Sequence, residues 1–581
     1  MAALIILILL LTPLLYLPVA KDAFSAPKNL FVIFMCALLG ILLAKRAAFK
    51  KIKLSLPALL LFGTFFLISA VSCFYSSNIL VSLKYAGDIL LYGVLVLAAA
   101  HCAAADRKNI TAFGNAVCAA TIAVSVLGLL QAFHIDFFEL TMNLLFSERS
   151  TAFLSFKERI SSTMGNANFF GGYLVMSVPA AFALFIGTDG LKRGLFYGSA
   201  SLLGLLCLVK TETANAWAAA ALGLLLFVFL AAIYAGERRK KLCVSLLVLA
   251  ALGICAVAVL HPREAILKIR NAGSFSTLSE RGRLVMWKAG LEMVKERPVT
   301  GFGAASYKIY VSKYEGRVLH SPGYTDYPYQ MTKDAHNDYI QIWAELGIFG
   351  LLVFLLTIAL SLAFGYSFAK EKNTQERIMF FGLLAALAGY AVHAFFNFPM
   401  KIAPIFTVFC VYCGILLSGS PAQVGLKNRP GGKIIVVVAV LVGGALSAVA
   451  VLFFAANLET GYGILMYDRS RYNEALSHFN RSLVNSERLD YTRDLRTHFY
   501  KGNIYYVRGE YAEARNEFNK EIALNPYNAD ARYNMGLILD RLGLKEEAVE
   551  SYKKALELEK TFAPAAEKLA EHGVKWPAAP L

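Results

Sequence analysis

Charge is scarce in this chain: Asp, Glu, Lys and Arg make up 17% of its 581 residues, against about 25% in an ordinary soluble domain. A hydrophobic share of 57% accompanies that shortage, and together they exclude a soluble globular protein. Acids are the scarcer sign, 40 against 57 Lys and Arg. A basic excess raises the question of nucleic acid, but here the cations gather in short loops between apolar runs, so no nucleic-acid partner is implied. All nine cysteines lie in or beside those runs, so neither a disulfide framework nor a zinc site is expected. Cys410 and Cys413 have CxxC spacing inside an apolar helix and read as packing residues.

A spanning helix needs roughly 20 apolar residues. Candidate spans lie at 4–17, 30–44, 56–73, 79–100, 110–133, 169–187, 195–209, 216–234, 242–260, 346–368, 378–396, 402–418 and 434–454. The fold class expected is therefore all-α, a polytopic membrane protein with about 13 spans. The first run lacks a basic stretch ahead of it, and Val19-Ala20 before Lys21 is a poor cleavage site. It reads as a span rather than a signal peptide. Lys45, Arg46, Lys50, Lys51 and Lys53 form a cluster without acids, which predicts a cytoplasmic loop. Alternate loops then hold Arg107 and Lys108, Lys192 and Arg193, and the basic stretches 238–241, 370–377 and 427–433. This pattern places the amino terminus inside and residues 457–581 outside.

Two outer regions are large. In the second, Gly502, Ala514 and Phe518 recur 34 positions later as Gly536, Ala548 and Tyr552. Gly463, Ala475 and Phe479 form an earlier copy, and Pro526 closes the middle one. Small residues at a helix crossing, with this period, resemble the tetratricopeptide repeat. The domains expected are a membrane part over 1–456, with an outer loop at 261–345, and repeats over 457–581 that end in a capping helix from Phe562 to Trp576. Nearly balanced charge makes the repeats a protein-docking surface, or alternatively a plain scaffold.

The loop differs, with twelve cations and six acids between 263 and 333. Something anionic near the outer leaflet would explain this, as would contact with anionic headgroups. Leu284, Trp287, Leu291 and Val294 have helical spacing and predict an amphipathic helix along the membrane surface. Arg283 stands at its start, where a guanidinium can pair bidentately with phosphate oxygens; it would serve equally as an interfacial anchor. Gly301-Phe302-Gly303 then turns the chain. A further helix is expected to begin near Asp334–His336, with His336, Tyr339, Ile340, Trp343 and Gly347 on one face. His336 at its amino terminus could meet an anion or accept a proton. Lys84 and Asp88, one turn apart within a span, read as a self-neutralising pair.

Arg281 to Trp287, Glu296-Arg297-Pro298-Val299-Thr300-Gly301-Phe302-Gly303, Ala335-His336-Asn337-Asp338-Tyr339 and Glu345-Leu346-Gly347-Ile348-Phe349-Gly350 follow one another in an order and spacing that resemble the O-antigen ligase/polymerase family, which includes protein O-oligosaccharyltransferases. Thr163-Met164-Gly165-Asn166-Ala167-Asn168 resembles its GNxN-type segment, and 393–401, with Asn397 and Pro399, a later corner. The resemblance implies a GT-C-type membrane glycosyltransferase on the outer face of the bacterial inner membrane. It would transfer a glycan from an undecaprenyl-pyrophosphate carrier to a lipid, glycan or protein acceptor, as in lipopolysaccharide biosynthesis. It assigns His336 to activation of the acceptor hydroxyl and Arg283 to the pyrophosphate. Arg281, Asn337, Asn166, Asn168, Lys210 and Lys401 become candidate substrate contacts. With no DxD triplet or exported carboxylate cluster, no metal or other cofactor is expected. One departure stands out: Ala214 occupies the place of a family arginine, for which Lys210 or Arg281 are candidate replacements. A lipid-linked glycan transporter and an assembly scaffold are the non-enzymatic alternatives.

Overall fold

The structure, a computed structural model, describes residues 1–50, 52–135, 159–234, 278–319, 332–426, 432–486, 496–560 and 562–576, with a few isolated positions between them. The chain begins with α1 (Ala2–Leu11), α2 (Ala26–Phe49), α3 (Leu56–Ser72), α4 (Ile79–Ala105), α5 (Lys108–Ala132), α6 (Ala167–Gly187), α7 (Leu191–Lys210) and α8 (Ala214–Tyr234). The loop region carries α9 (Leu278–Glu296) and α10 (Tyr307–Leu319). After it come α11 (Asp338–Lys370), α12 (Thr374–Phe396), α13 (Ala403–Leu417) and α14 (Gly432–Asp468). Among the described residues ten helices are long and apolar enough to span a membrane; the expected run at 242–260 lies outside those residues. Two of the other expected spans are shorter. The first is the ten-residue α1, which ends before Pro13, a residue with no N–H to donate into another turn. The other is α13, whose fifteen residues are all buried. A helix apolar on every face belongs inside the bundle, and α13 packs against α4, α6 and α11.

One end of the bundle is joined by its loops. The short strands β1 (Ile52–Ser55) and β2 (Gln423–Leu426) pair antiparallel. Arg377 Nη1 donates to the Tyr234 carbonyl at 3.2 Å, and Gln375 donates to Asp189 at 3.1 Å. Within α4 the Lys84 ammonium lies 2.7 Å from the Asp88 carboxylate, so this pair neutralises itself as its spacing predicts.

At the other end, two of the motifs hold each other. Gly301 (φ +68°) and Gly303 (φ +99°) turn the chain after α9. The Phe302 and Gly303 amides donate to the Ala344 and Glu345 carbonyls at 2.9 Å each, and the Ile348 amide donates to the Pro298 carbonyl at 3.0 Å. These bonds are available because α11 is broken at Gly347, whose φ of +69° and ψ of −173° are non-helical. Such a conformation is essentially confined to glycine. A Cβ there would lie 1.8 Å from the Val299 carbonyl oxygen. Gly347→Ala should therefore cost at least about 2–3 kcal/mol through strain and collision. Thermal unfolding in detergent would show a clear drop in midpoint; an unchanged midpoint would mean that the break tolerates a side chain.

The repeats are α15 (Tyr472–Ser486), α16 (Thr497–Val507), α17 (Tyr511–Leu524), α18 (Ala529–Arg541), α19 (Lys545–Leu558) and the cap α20 (Ala563–Glu571). A Cβ on Gly463, Gly502 or Gly536 would meet the ring of Phe479, Phe518 or Tyr552 at 2.5, 2.5 and 2.4 Å. The same glycine-under-aromatic crossing thus occurs in all three copies. The last span and the first repeat helix are one continuous helix, α14.

Candidate functional site

The loop folds into a small unit of its own. Val285, Ala289 and Met293 of α9 are buried with Phe302, Tyr307, Val311 and Tyr314, whereas Leu291 is 40% exposed. Of the expected stripe Leu284, Trp287, Leu291 and Val294, only Val294 joins this core, so α9 does not simply lie on the membrane surface. Apolar residues occupy two faces of this helix, and contact with α10 and α11 selects the one that is covered. The buried Glu345 carboxylate accepts the Ala305 and Tyr307 amides at 3.1 and 3.3 Å and the Gln341 side chain at 3.1 Å. It thus satisfies free donors at the start of α10.

Around the histidine, each neighbour has a structural task. Asn337, not Asp334 or His336, caps α11, accepting the Ile340 amide at 3.1 Å. Its backbone is extended, so His336 precedes the helix rather than lying on its Tyr339–Trp343 face. Asp338 accepts the Met400 amide at 3.0 Å, and the Tyr339 hydroxyl donates to the Ala391 carbonyl at 2.7 Å. Asp334 binds the Lys401 ammonium at 2.6 Å, with Glu345 3.9 Å away. Burial pulls the Lys401 pKa down, but Asp334 and Glu345 outweigh it and hold the pKa above the ordinary lysine range. Burial would raise Asp334, and Lys401 overcomes that and holds it below the usual carboxylate range. Lys401 is thereby an internal ion-pair partner that ties the 398–402 corner to the loop, not a free cation.

His336 is the exception in its own motif. Its backbone is left-handed, with φ of +48°, a conformation a β-substituted residue adopts at a cost and often at functional sites. Its carbonyl accepts Trp287 Nε1 at 3.4 Å. The ring meets Phe398 edge-on at 4.6 Å between centroids, and its Nδ1 is buried without a hydrogen-bond partner. Burial lowers its pKa to about 4, with the Arg283 charge helping and Asp334 opposing. The imidazole is therefore neutral at pH 7, with a nitrogen lone pair to offer.

Other unpartnered polar atoms gather close by. His393, 1% exposed on α12, leaves Nδ1 unbonded, and Asn397, 2% exposed, makes no close hydrogen bond, although its side chain lies near enough to the His336 ring to oppose the lowering of its pKa. The His393 Nε2 lies 2.5 Å from where a Cβ on Gly172 would stand, so the close approach of α6 requires that glycine. Trp287 meets Phe395 edge-on and Phe396 at a tilt, which sets α9 over this corner. Arg283, one turn before Trp287, is half-buried; burial lowers its pKa, opposed by Glu280 and helped by Arg159.

The GNxN segment enters from α6. Asn166 caps that helix by accepting the Asn168 amide at 2.8 Å. The Asn168 side chain accepts Arg159 Nη2 at 3.4 Å, while Arg159 Nε donates to the Thr211 carbonyl at 2.7 Å and Nη2 to the Thr213 hydroxyl. Phe169 lies edge-on to Phe398 at 5.4 Å, linking this group to the His336 ring. Sequence reasoning missed Arg159, and it placed His393 and Asn397 in the 393–401 corner without giving them a role in the site. An arginine between an apolar run and the GNxN segment was the available signal for the first. Lys210 is exposed at the end of α7, and Arg281 stands on α9 beside Arg283. Neither occupies the turn at Ala214, which Arg159 reaches from another part of the chain. No group of three or more His, Cys, Asp or Glu able to hold a metal occurs among the described residues.

Fold and site together define a multi-pass membrane protein with buried polar side chains around His336 at one end of its bundle and a helical-repeat tail. Residues 199–355 match the O-antigen ligase family, and 502–543 and 529–562 match tetratricopeptide repeat families. Over those residues the chain is similar to the O-antigen ligase family, and its carboxyl-terminal part is similar to tetratricopeptide repeats. Exopolysaccharide production protein ExoQ of Rhizobium meliloti (strain 1021) is 30% identical over 227 residues, 38% of this chain and 50% of that protein. Tetratricopeptide repeat protein 13 of Homo sapiens is 28% identical over 101 residues, 17% of this chain and 11% of that one. The probable UDP-N-acetylglucosamine–peptide N-acetylglucosaminyltransferase SPINDLY of Arabidopsis thaliana is 29% identical over 114 residues, 20% and 12% of the two chains. The chain thus spans half the length of ExoQ and much less of the other two.

Proposed function

We propose that this protein is a glycosyltransferase that moves a glycan from an undecaprenyl-pyrophosphate carrier to an acceptor hydroxyl at the outer face of a bacterial inner membrane. One observation carries the reading: the buried His336 ring leaves Nδ1 unbonded, and burial together with the Arg283 charge lowers its pKa to about 4. An acceptor oxygen attacks the anomeric carbon while His336 takes its proton. The bond from that carbon to the pyrophosphate oxygen breaks, and the electron pair leaves with the lipid pyrophosphate. Arg283 stabilises the charge that develops there, and no metal is needed. The ExoQ likeness supports glycan processing, and the basic loops support an outward-facing site. The tetratricopeptide tail supports a protein partner or a protein acceptor, with lipid and glycan acceptors as the other two classes. Mass spectrometry of envelope lipids, polysaccharides and proteins from cells with and without the gene tests this. One glycoconjugate should disappear and lipid-linked precursor should accumulate; an unchanged envelope with no precursor would contradict the proposal.

The pH dependence follows from the sign of the His336 shift. A base acts only when deprotonated, and burial with Arg283 holds its pKa at about 4. The rate with free enzyme, kcat/KM, should therefore stay level from pH 8 to about 5 and fall only as pH drops toward 4. A falling limb centred near 6.5, the ordinary histidine value, would show that His336 is not held this way.

A further inference from the structure

We infer that a cavity at the end of the bundle opposite His336 binds the phosphate headgroup of an anionic membrane phospholipid. The site lies apart from the His336 corner and does not depend on the transfer reaction. The cavity has a volume of about 190 Å³ and is lined by Arg107, Lys108 and Thr111 at the start of α5 and by Glu376 at the start of α12. Ile110 and Phe380, both buried, form its apolar wall. Its polar groups are poorly satisfied by the protein. Arg107 Nη1 and the Glu376 carboxylate stand 3.9 Å apart, beyond hydrogen-bond range. Among the described residues Lys108 makes no ion pair and the Thr111 hydroxyl makes no hydrogen bond.

The charges beside the cavity are unbalanced. The Arg107 guanidinium stands 4.6 Å from the centroid of the Phe368 ring, and the Lys372 ammonium stands 4.0 Å from the same centroid. Two cations sharing one ring repel each other, and an anion bound beside them relieves this. Arg377 does not compete for that anion. It donates to the Ala369, Lys370 and Lys372 carbonyls at the end of α11 and to the Tyr234 carbonyl, and so caps a helix terminus. Asp106 is also occupied, since its carboxylate accepts the Lys108 amide at 2.9 Å. Glu376 is the one carboxylate in the lining, and Arg107, Lys108 and Lys372 outnumber it.

The apolar wall decides where the phosphate comes from. α5 and α12 are both of spanning length, and the cavity lies at their first turns, at the end of the bundle that carries the basic loops. Basic pockets between spanning helices at such a boundary hold phospholipid headgroups. The phosphate meets the cations while the acyl chains follow apolar helix surface. A free phosphate has no use for a wall of Ile110 and Phe380.

Native mass spectrometry of the detergent-solubilised full chain tests this, with phosphatidylglycerol, phosphatidylcholine and glycerol 3-phosphate as probes. The parent should bind phosphatidylglycerol in preference to phosphatidylcholine. Arg107→Gln combined with Lys108→Gln should weaken phosphatidylglycerol about 10- to 30-fold, the worth of two cations near a headgroup. Lys108→Gln alone should weaken it about three- to sixfold; Lys108 is exposed, so this variant keeps the fold. Lys192→Gln combined with Arg193→Gln removes two exposed cations from another loop at the same end and should change the affinity less than twofold. Equal losses in the two double variants would show only the general field of the basic loops, and unchanged affinity at 107 and 108 would show that the cavity holds no lipid. Either overturns the site. Displacement of phosphatidylglycerol by an equal concentration of glycerol 3-phosphate would make the ligand a soluble phosphate and overturn the lipid assignment.

Discussion

Replacing His336 by alanine should lower glycan transfer by about 10²–10⁴-fold, the usual contribution of a positioned general base, while the protein stays folded. The structure separates these two effects. The His336 side chain has an unbonded Nδ1 and an edge contact with Phe398. The bond from Trp287 goes to its backbone carbonyl, which alanine retains. The cap of α11 belongs to Asn337 and the grip on the 400 corner to Asp338, so neither is lost. Alanine is less at ease at a φ of +48°. His336→Asn provides the control, since asparagine tolerates that region better. Both variants should lose transfer, with the asparagine variant unfolding at the parent temperature. If either transfers glycan at the parent rate, His336 is not the base.

Arg283→Gln should cost about 10²–10³-fold in transfer, the scale of removing one preorganised donor from a developing oxyanion. The lysine variant is the sharper instrument. Lysine keeps the charge but is a point donor on a flexible stem, without the planar fork that meets two phosphate oxygens at once. Arg283→Lys should therefore recover part of the loss and remain at least about tenfold below the parent, the worth of one charge-assisted hydrogen bond. Arg283 lies on the side of α9 near Trp287 and makes no ion pair among the described residues, so neither change should disturb the core formed by Val285, Ala289 and Met293. A lysine variant equal to the parent would reduce Arg283 to an interfacial anchor.

Much of this arrangement was legible in the residues alone. Long apolar runs carry their own span signal, and ten of them are helices of spanning length among the described residues. The period of the repeats needed only Gly502 and Phe518 to return as Gly536 and Tyr552, and the ring-over-glycine crossing follows. Order and spacing around Gly301, His336 and Gly347 pointed to one site. What failed to show depends on contacts far apart in the chain. The break at Gly347 exists because the 298–303 turn lies against it, and helical periodicity continues undisturbed through that point. The placement of His336 before the helix follows from Asn337 taking the cap, a choice that one residue's shift would reverse in the sequence. Lys401 read as a candidate substrate contact because Asp334, 67 positions earlier, is invisible to local reading. Arg159 was hidden for a related reason: two of its three acceptors are 52 and 54 residues away.

The central claim is transfer from a lipid pyrophosphate by a metal-free site built on His336 and Arg283. Purified protein in proteoliposomes, given an undecaprenyl-pyrophosphate-linked glycan, an acceptor and EDTA, measures it directly as undecaprenyl pyrophosphate released per acceptor glycosylated. The account predicts one-to-one release by the parent protein, unaffected by EDTA, and almost none by His336→Ala. Release that depends on added metal, or that persists in His336→Ala, would contradict it.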